Sequence, residues 1–156
     1  MTDVRWLTGQ EQRAWRGYRR MRALLDLQIS RDLAKDGLSD ADYDVLSTLS
    51  ETEQRRMRIT ELASRMRWST SRLSHHISRM QQRGLVVREE SASDGRGAVA
   101  VLTDDGWTTV EAAARGHVRS VREHFIDLLT AEELRTLTAV TEKIIDRLSP
   151  SRDAKM

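Results

Sequence analysis

The stretch from Thr60 to Gly84 reads TELASRMRWSTSRLSHHISRMQQRG. Its apolar residues recur at steps of three and four in two runs, which predicts two amphipathic helices joined by a turn at Arg67 and Trp68. A hydroxyl residue precedes each run, and we expect Thr60 and Ser69 to cap the helices by accepting hydrogen bonds from free amides. The residues predicted to face inward are Leu62, Ala63 and Met66 in the first helix and Leu73, Ile77 and Met80 in the second.

Short β-type segments surround this helix pair. Leu85–Glu90 and Ala98–Leu102 have the composition of strands, and the glycine-containing stretch Ser91–Gly97 between them predicts a β-hairpin. Met57–Ile59 is too short for a helix and predicts one further small strand. The order is therefore helix, turn, helix and hairpin.

Long helices are predicted on both sides of this segment. Thr8 to Glu11 has the capping-box pattern, and it opens a predicted helix near Gly9–Lys35. Ser39 caps a shorter helix, and the box from Thr130 to Glu133 opens a last helix that ends before Pro150. One apolar stripe is predicted to run through the helix between them, from Trp107 through Val110, Ala114, Val118, Val121 and Phe125 to Leu128.

These apolar stripes are too long for a lobe of about 66 residues to cover, and exposed stripes of this kind usually mark an interface. We therefore predict an N-terminal dimerisation helix at residues 1–37, a lobe at 38–103, C-terminal dimerisation helices at 104–149 and a disordered tail at 150–156. The fold class is mainly α with a small β-hairpin (α+β). The alternative is that the stripes fold back within one monomer as a helical bundle.

Charge is unevenly distributed along the chain. It has 156 residues with 26 basic and 24 acidic side chains, but the segment Gln54–Arg96 holds ten arginines and only four acids. A basic middle between acidic flanks is typical of a module that binds a polyanion. The absence of cysteine excludes disulfides, thiolate metal sites and thiol redox sensing. Without a long apolar run or a signal peptide, we expect a cytoplasmic protein with no membrane partner.

The second helix of the pair carries a polar outer face without any acid between Ser69 and Arg83. Such a helix fits the major groove of DNA, where arginine pairs with guanine and hydroxyl groups meet phosphates or base edges. In the hairpin loop, Arg96 can enter a minor groove, while Asp94 would pair with an arginine and hold the loop in shape. The predicted DNA-binding residues are Ser69, Thr70, Ser71, Arg72, Ser74, His75, Ser78, Arg79, Asp94 and Arg96.

Several runs together resemble the MarR (multiple antibiotic resistance regulator) family. They are Ile59–Ala63, Ser71–Ile77, Arg83–Val86, the Asp94-Gly95-Arg96 hairpin and Val101–Gly106. The resemblance implies an obligate homodimer of winged helix-turn-helix subunits, with the hairpin as the wing. It also implies that a small anionic aromatic effector binds between the DNA-binding lobe and the dimerisation helices. Glycine stands where many members carry a second wing arginine, which puts the strength of the minor-groove contact in doubt.

Candidate residues for other chemistry are few. Trp15, Tyr18 and His117 are the effector-site candidates, although aromatic residues at helical spacing more often belong to a core. His75 and His76 are adjacent and diverge on a helix, and we expect His76 to be packed at the core edge. His117 and His124 are two helical turns apart, too far for one metal ion without further ligands. The sequence therefore predicts no metal site, no cofactor and no enzyme.

Taken together, these patterns predict a sequence-specific DNA-binding transcriptional regulator. We expect a ligand-responsive repressor that binds a pseudo-palindromic operator in double-stranded DNA as a homodimer. Two alternatives remain open: a sequence-indifferent architectural DNA-binding protein, and a winged-helix module that binds an acidic protein. A cofactor-free enzyme is a more distant alternative, because no nucleophile and base are paired.

Overall fold

The structure is a computed structural model, and it describes residues 4–90 and 97–149. Six α-helices and three strands are found in this part of the chain, with a 3₁₀ turn at Ile126–Leu128. The elements are α1 (Gly9–Lys35), α2 (Asp40–Ser50), β1 (Arg56–Arg58), α3 (Ile59–Met66), α4 (Thr70–Gln82), β2 (Val86–Glu90), β3 (Ala98–Leu102), α5 (Asp104–His124) and α6 (Ala131–Leu148). The predicted mainly α fold with a small β-hairpin is confirmed.

Contacts divide the chain into two compact units at the bond between Val118 and Arg119. The first unit contains the hydrophobic core, to which α2, α3, α4, the strands and the first half of α5 contribute. The second unit contains α6, none of whose described residues is buried. The segment boundaries predicted from the sequence stay a prediction. The fully buried large side chains of the core are Val45, Leu46, Leu49, Leu62, Leu73, Ile77, Met80 and Val86.

Three helices begin at predicted caps, two of them predicted as capping boxes. The hydroxyls of Thr8, Ser39 and Thr130 each accept a hydrogen bond from the amide three residues on, and the acidic residue there returns a bond to the cap amide. These boxes satisfy amides that would otherwise lack partners at a helix end, which explains why α1, α2 and α6 begin where the sequence indicates.

The predicted cap at Thr60 is wrong. α3 begins one residue earlier, at Ile59, and its N-cap Arg58 makes no side-chain capping bond. Ile59 is 3% exposed, so burying its side chain in the core draws it into the first turn of the helix. The strand predicted over Met57–Ile59 is shifted for the same reason and ends at Arg58.

The sheet has three antiparallel strands in the order β1, β3, β2. The predicted hairpin is confirmed, with Val86 opposite Leu102 and Glu90 opposite Ala98. The sequence did not predict that β1 pairs with β3, where Met57 lies opposite Ala100. Because β3 is central, four of its five residues are buried, and it joins the hairpin to the helical core.

The beginning of α5 is packed unusually closely against the end of α4. The Thr103 hydroxyl donates to the carbonyl of Gly84 at 2.6 Å and accepts from the Gly106 amide at 2.9 Å. A Cβ added at Gly106 would lie 2.0 Å from the Leu85 carbonyl oxygen. Only glycine allows this approach, which gives a physical reason for the Thr103 and Gly106 pair in the sequence.

The apolar stripe predicted through Leu128 is interrupted, so that part of the prediction is wrong. α5 ends at His124, and Phe125 leaves helical geometry before the 3₁₀ turn. Arg122 donates to the Asp127 carboxylate at 2.5 Å, which ties this turn back to the last turn of α5. Leu128 lies in this turn, outside α5, and is 72% exposed, so it does not extend the apolar face of that helix.

Candidate nucleic-acid interface

α4 is built with one buried face and one exposed face. Leu73, Ile77 and Met80 are each 0% exposed, and at 100° per residue they hold the opposite side of the helix towards solvent. The predicted cap at Ser69 is confirmed, because its hydroxyl accepts from the Arg72 amide at 3.2 Å. The helix ends at Gln82, and Gly84, two residues further on, turns the chain away with a φ of +74°. Both ends of α4 are therefore fixed by local chemistry.

The structure brings the predicted α4 residues together on this outer side. Seven of them are exposed, while Ser74 is half-buried and its carbonyl accepts from the Ser78 hydroxyl at 3.0 Å. No acidic residue lies between them, so the face consists of hydroxyls, one imidazole and two guanidinium groups. The exposed residues are Ser69, Thr70, Ser71, Arg72, His75, Ser78 and Arg79.

The two arginines of this face lie against aromatic rings. The Arg72 guanidinium carbon is 4.0 Å from the centre of the Trp68 ring, a cation–π distance. Arg79 Nη2 is 2.9 Å from His76 Nδ1. Across residues 4–90 and 97–149, no carboxylate lies within ion-pair distance of either arginine. Both guanidinium groups therefore keep N–H donors that can bind an anion or a base edge.

His76 itself is 7% exposed, which confirms the expected position at the core edge. Its Nε2 lies 3.1 Å from Asp42 Oδ1. Because a guanidinium can only donate, Nδ1 must accept from Arg79, which assigns the ring proton to Nε2 facing Asp42. Burial lowers the pKa of His76, and the Arg79 charge adds to that effect while Asp42 opposes it. The imidazole is therefore neutral at pH 7.

Asp42 is a buried carboxylate, 4% exposed, at the start of α2. Its second oxygen accepts from Arg83 at 2.8 Å and from the Ser39 amide at 3.0 Å. Burial works against ionisation, but the bonds from Arg83 and Ser39 outweigh it and lower the pKa of Asp42 below its usual value. Arg83 also donates to the Gly37 carbonyl at 2.7 Å. This cluster attaches α4 to α2 behind the exposed face.

The sequence analysis did not assign Trp68 or Asp42 to the site. Trp68 was placed only in the turn, and the predicted cap at Ser39 gave Asp42 no role in the site. An acidic residue three positions after Ser39 signals a cap, but nothing local signals a partner on α4. The pattern of hydrophobic spacing cannot show which side chain a turn tryptophan covers.

The wing is described only at its two strands. Asp94 and Arg96 lie outside the described residues, so their predicted roles stay predictions. In β2, Glu89 accepts from Arg56 of β1 at 2.8 Å, and the Arg88 amide donates to Gln81 of α4 at 2.6 Å. These contacts join the base of the wing to the helix that carries the candidate face.

The three effector candidates are not brought together. His117 lines a cavity of ≈ 300 Å³ with Tyr43, and the two rings are 4.5 Å apart. Trp15 and Tyr18 stack on each other at 5.9 Å and are not among the residues that line this cavity. The cavity lining consists of Asp26, Ile29, Leu33, Asp40, Tyr43, Asp44 and His117.

The cavity wall is acidic. Burial and the neighbouring charge of Asp40 raise the pKa of Asp44, and the His117 ring opposes them. The Asp40 carboxylate also accepts a hydrogen bond from Ser30. In the described part of the chain, this cavity included, no group of three or more histidine, aspartate or glutamate side chains is arranged to hold a metal ion. No helix among the described residues is long and apolar enough to cross a membrane.

Known proteins resemble this chain in both sequence and fold. The sequence model of the MarR family matches residues 36–97, the segment that contains α2 to β2. The regulator AbsC of Streptomyces coelicolor, a MarR family member, is 47% identical, with 93% of this chain and 98% of AbsC covered and a TM-score of 0.89. The chain belongs to the MarR family of transcriptional regulators. The predicted resemblance is thereby confirmed.

Two further relatives extend this comparison. The MarR family regulator Sco3205 of Streptomyces coelicolor, solved in complex with DNA, is 38% identical, with 98% of this chain and 97% of Sco3205 covered and a TM-score of 0.90. The transcriptional repressor MdtR of Bacillus subtilis is 25% identical over 117 residues, which cover 75% of this chain and 74% of MdtR. This MarR family chain therefore shares its whole fold with regulators, and the fold itself assigns no residue roles.

Proposed function

We propose that this MarR family regulator binds double-stranded DNA sequence-specifically and represses transcription. α4 would enter the major groove with Arg72, His75 and Arg79 towards the base edges. The hydroxyls at the start of the helix would bind phosphate through the free amides there. The hairpin would place Arg96 in the adjacent minor groove, and Asp94 would hold the hairpin loop in shape.

One observation carries this proposal: the outer face of α4 is exposed, lacks acids and keeps two guanidinium groups without carboxylate partners among the described residues. An ordinary solvent-exposed face would mix acidic and basic side chains. The DNA complex of Sco3205, 38% identical over almost the whole chain, supports the same use of the fold. The name of MdtR supports repression rather than activation.

We also propose a homodimer. Within α1, Leu33 is the one described residue that is buried, while Trp15, Leu24 and Leu27 are about half exposed in a single chain. α6 likewise exposes Ile144 and Leu148. Apolar faces of this length are typical of subunit interfaces. A two-fold dimer would hold two copies of α4 about one turn of DNA apart, roughly 34 Å, and so prefer a pseudo-palindromic site.

Selection from a pool of random double-stranded DNA tests the proposal. We define the selected duplex as the sequence recovered from this pool, and the scrambled duplex as a duplex of the same length and base composition. We expect a selected duplex with inverted half-sites, bound far more tightly than the scrambled duplex in a gel-shift titration at physiological salt. Equal affinities would favour a sequence-indifferent binder, and no shift even at low salt would favour a protein-interaction module.

An effector response completes the proposed function. The ring pair of Tyr43 and His117 suits an aromatic ligand, whereas the carboxylates of Asp26, Asp40 and Asp44 repel an anion. Benzoate and benzylamine form a matched pair of probes with opposite charge. If this cavity is the effector site, benzylamine should raise the melting temperature more than benzoate does. The opposite order would assign the expected small anionic aromatic effector to another site, such as one beside Trp15 and Tyr18.

A further inference from the structure

Both guanidinium groups of the α4 face are held by a pair of rings that touch each other. Trp68 and His76 meet edge to face, with ring centres 5.6 Å apart and planes at 87°. The Arg72 guanidinium carbon lies 4.0 Å from the centre of the Trp68 ring, and Arg79 Nη2 lies 2.9 Å from His76 Nδ1. The two arginines are seven residues, about two helical turns, apart, so this ring pair reaches both ends of the exposed face.

The ring pair is fixed from behind. Trp68 packs against the hydrophobic core, and His76 is almost fully buried. Turning the His76 ring over would remove its nitrogens from both Asp42 and Arg79, so the two contacts together specify one orientation. Asp42 is held in turn by Arg83 and by the Ser39 amide. The chain of contacts therefore runs from the buried end of α2 to the tip of Arg79.

We propose that Trp68 and His76 are positioning residues, which orient Arg72 and Arg79 before DNA is bound and so determine which bases α4 prefers. This inference rests on the proposed function. A free arginine side chain samples many rotamers, and holding it in the binding geometry lowers the entropy lost on contact. Arg79 donates one N–H to His76 and keeps the others for a guanine edge.

The two nitrogens of His76 make separate contacts. Nδ1 contacts Arg79 and orients it, and Nε2 faces Asp42 and anchors the ring. An asparagine at this position places an oxygen acceptor near Nδ1, where Arg79 donates, but it does not reach Asp42. A glutamine places its amide near Nε2 and loses the acceptor for Arg79. His76→Asn and His76→Gln therefore form a matched pair that removes one contact each from the same buried site.

The experiment measures affinity for the selected and scrambled duplexes by gel shift. We expect His76→Gln to lower the ratio of the two affinities by about tenfold, near the low end for one good base contact, while affinity for the scrambled duplex stays within about twofold. His76→Asn should keep the ratio of the wild-type protein. Equal ratios for the two variants, whether both normal or both lowered, would overturn the proposal for His76.

A pH profile gives a readout that a purely structural role would not move. The charged and titratable groups that face His76 are Asp42 on α2 and Arg79 and Arg83 at α4. Protonated His76 donates from Nδ1 and can no longer accept from Arg79. Because burial lowers the pKa of His76, the wild-type ratio should hold at neutral pH and fall only as the pH drops below about 6.5, the ordinary pKa of histidine. In His76→Asn this fall should be absent, because asparagine takes up no proton, and a change common to both proteins would belong to other groups. Parallel profiles would contradict the inference.

Trp68 provides a second pair should both His76 variants fail to fold, as circular dichroism would reveal. Trp68→Phe keeps an aromatic face for Arg72, and Trp68→Leu keeps only apolar volume. We expect the ratio of affinities to fall in the leucine variant and to be largely retained in the phenylalanine variant. Equal ratios would overturn the role of Trp68. A wild-type protein that selects no duplex would instead refute the proposed function, so the two failures are distinguishable.

Discussion

Replacement of Gly106 by alanine tests how closely α5 is packed against the end of α4. The added Cβ would lie 2.0 Å from the Leu85 carbonyl oxygen and 2.8 Å from Leu102 Cδ1. The leucine methyl can move, but the carbonyl belongs to backbone that accepts a hydrogen bond from the Thr103 amide at 3.2 Å. The variant can therefore fold only if α5 moves outward by more than 1 Å or so, which separates buried side chains.

The cost follows from this displacement. Forcing extra volume into a packed site costs about 1–3 kcal/mol when side chains can adjust, and we expect Gly106→Ala to reach or exceed about 3 kcal/mol because backbone must move. Alanine has a higher helix propensity than glycine, which offsets this loss of unfolding free energy by about 1 kcal/mol. A net loss of about 2 kcal/mol corresponds to a fall of about 4–8 °C in melting temperature for a chain of this size.

Thermal unfolding followed by circular dichroism at one fixed protein concentration measures this effect. Gly17→Ala is the matched control, because Gly17 lies within α1 and has no other heavy atom within 4 Å of its added Cβ. The control should melt at or slightly above the wild-type temperature. A melting temperature for Gly106→Ala within about 1 °C of wild type would refute the packing argument.

Three further predictions concern DNA binding and pH. Arg79→Ala should weaken binding to the selected duplex by about 1–3 kcal/mol and to the scrambled duplex by less, and equal losses in gel shifts would assign Arg79 to phosphate contact. Arg96→Ala should weaken binding to the selected duplex and leave the melting temperature unchanged; unchanged affinity at physiological salt would remove the wing from the mechanism. Because the pKa of His76 is lowered on folding, the unfolded chain binds the extra proton first, so the free energy of unfolding should fall as pH drops below about 6.5. Urea unfolding should show a weaker loss in His76→Asn, and an equal loss would place the effect on other groups.

Local chemistry explains which features of this fold could be predicted from the sequence. The caps at Ser39 and Ser69 use atoms within three residues of each other, so the spacing alone specifies them. The buried residues of α4 follow from helical periodicity for the same reason. The prediction fails at Thr60, because the buried Ile59 before it already lies in the first turn of the helix.

Contacts between distant parts of the chain could not be predicted in this way. Tyr43 and His117 share a cavity, and Asp42 reaches His76, only because α2 packs beside α4 and α5 within the first unit. The pairing of β1 with β3 is equally nonlocal. A periodic pattern states that a side chain faces inward, but it does not state which side chain it meets there.

The charge count of the basic segment also overstates how many cations are available to DNA. Arg56, Arg65 and Arg83 each have a carboxylate of their own chain within 2.9 Å. A guanidinium that is already paired with a carboxylate neutralises DNA phosphate less, so it displaces fewer counterions from the DNA and adds little to the salt dependence of binding. These three arginines are paired within the lobe, whereas Arg72, which lies over the Trp68 ring, and Arg79, which donates to a His76 ring nitrogen, remain available to DNA. Affinity and base preference should consequently respond to different substitutions, because aromatic contacts orient a cation without cancelling its charge.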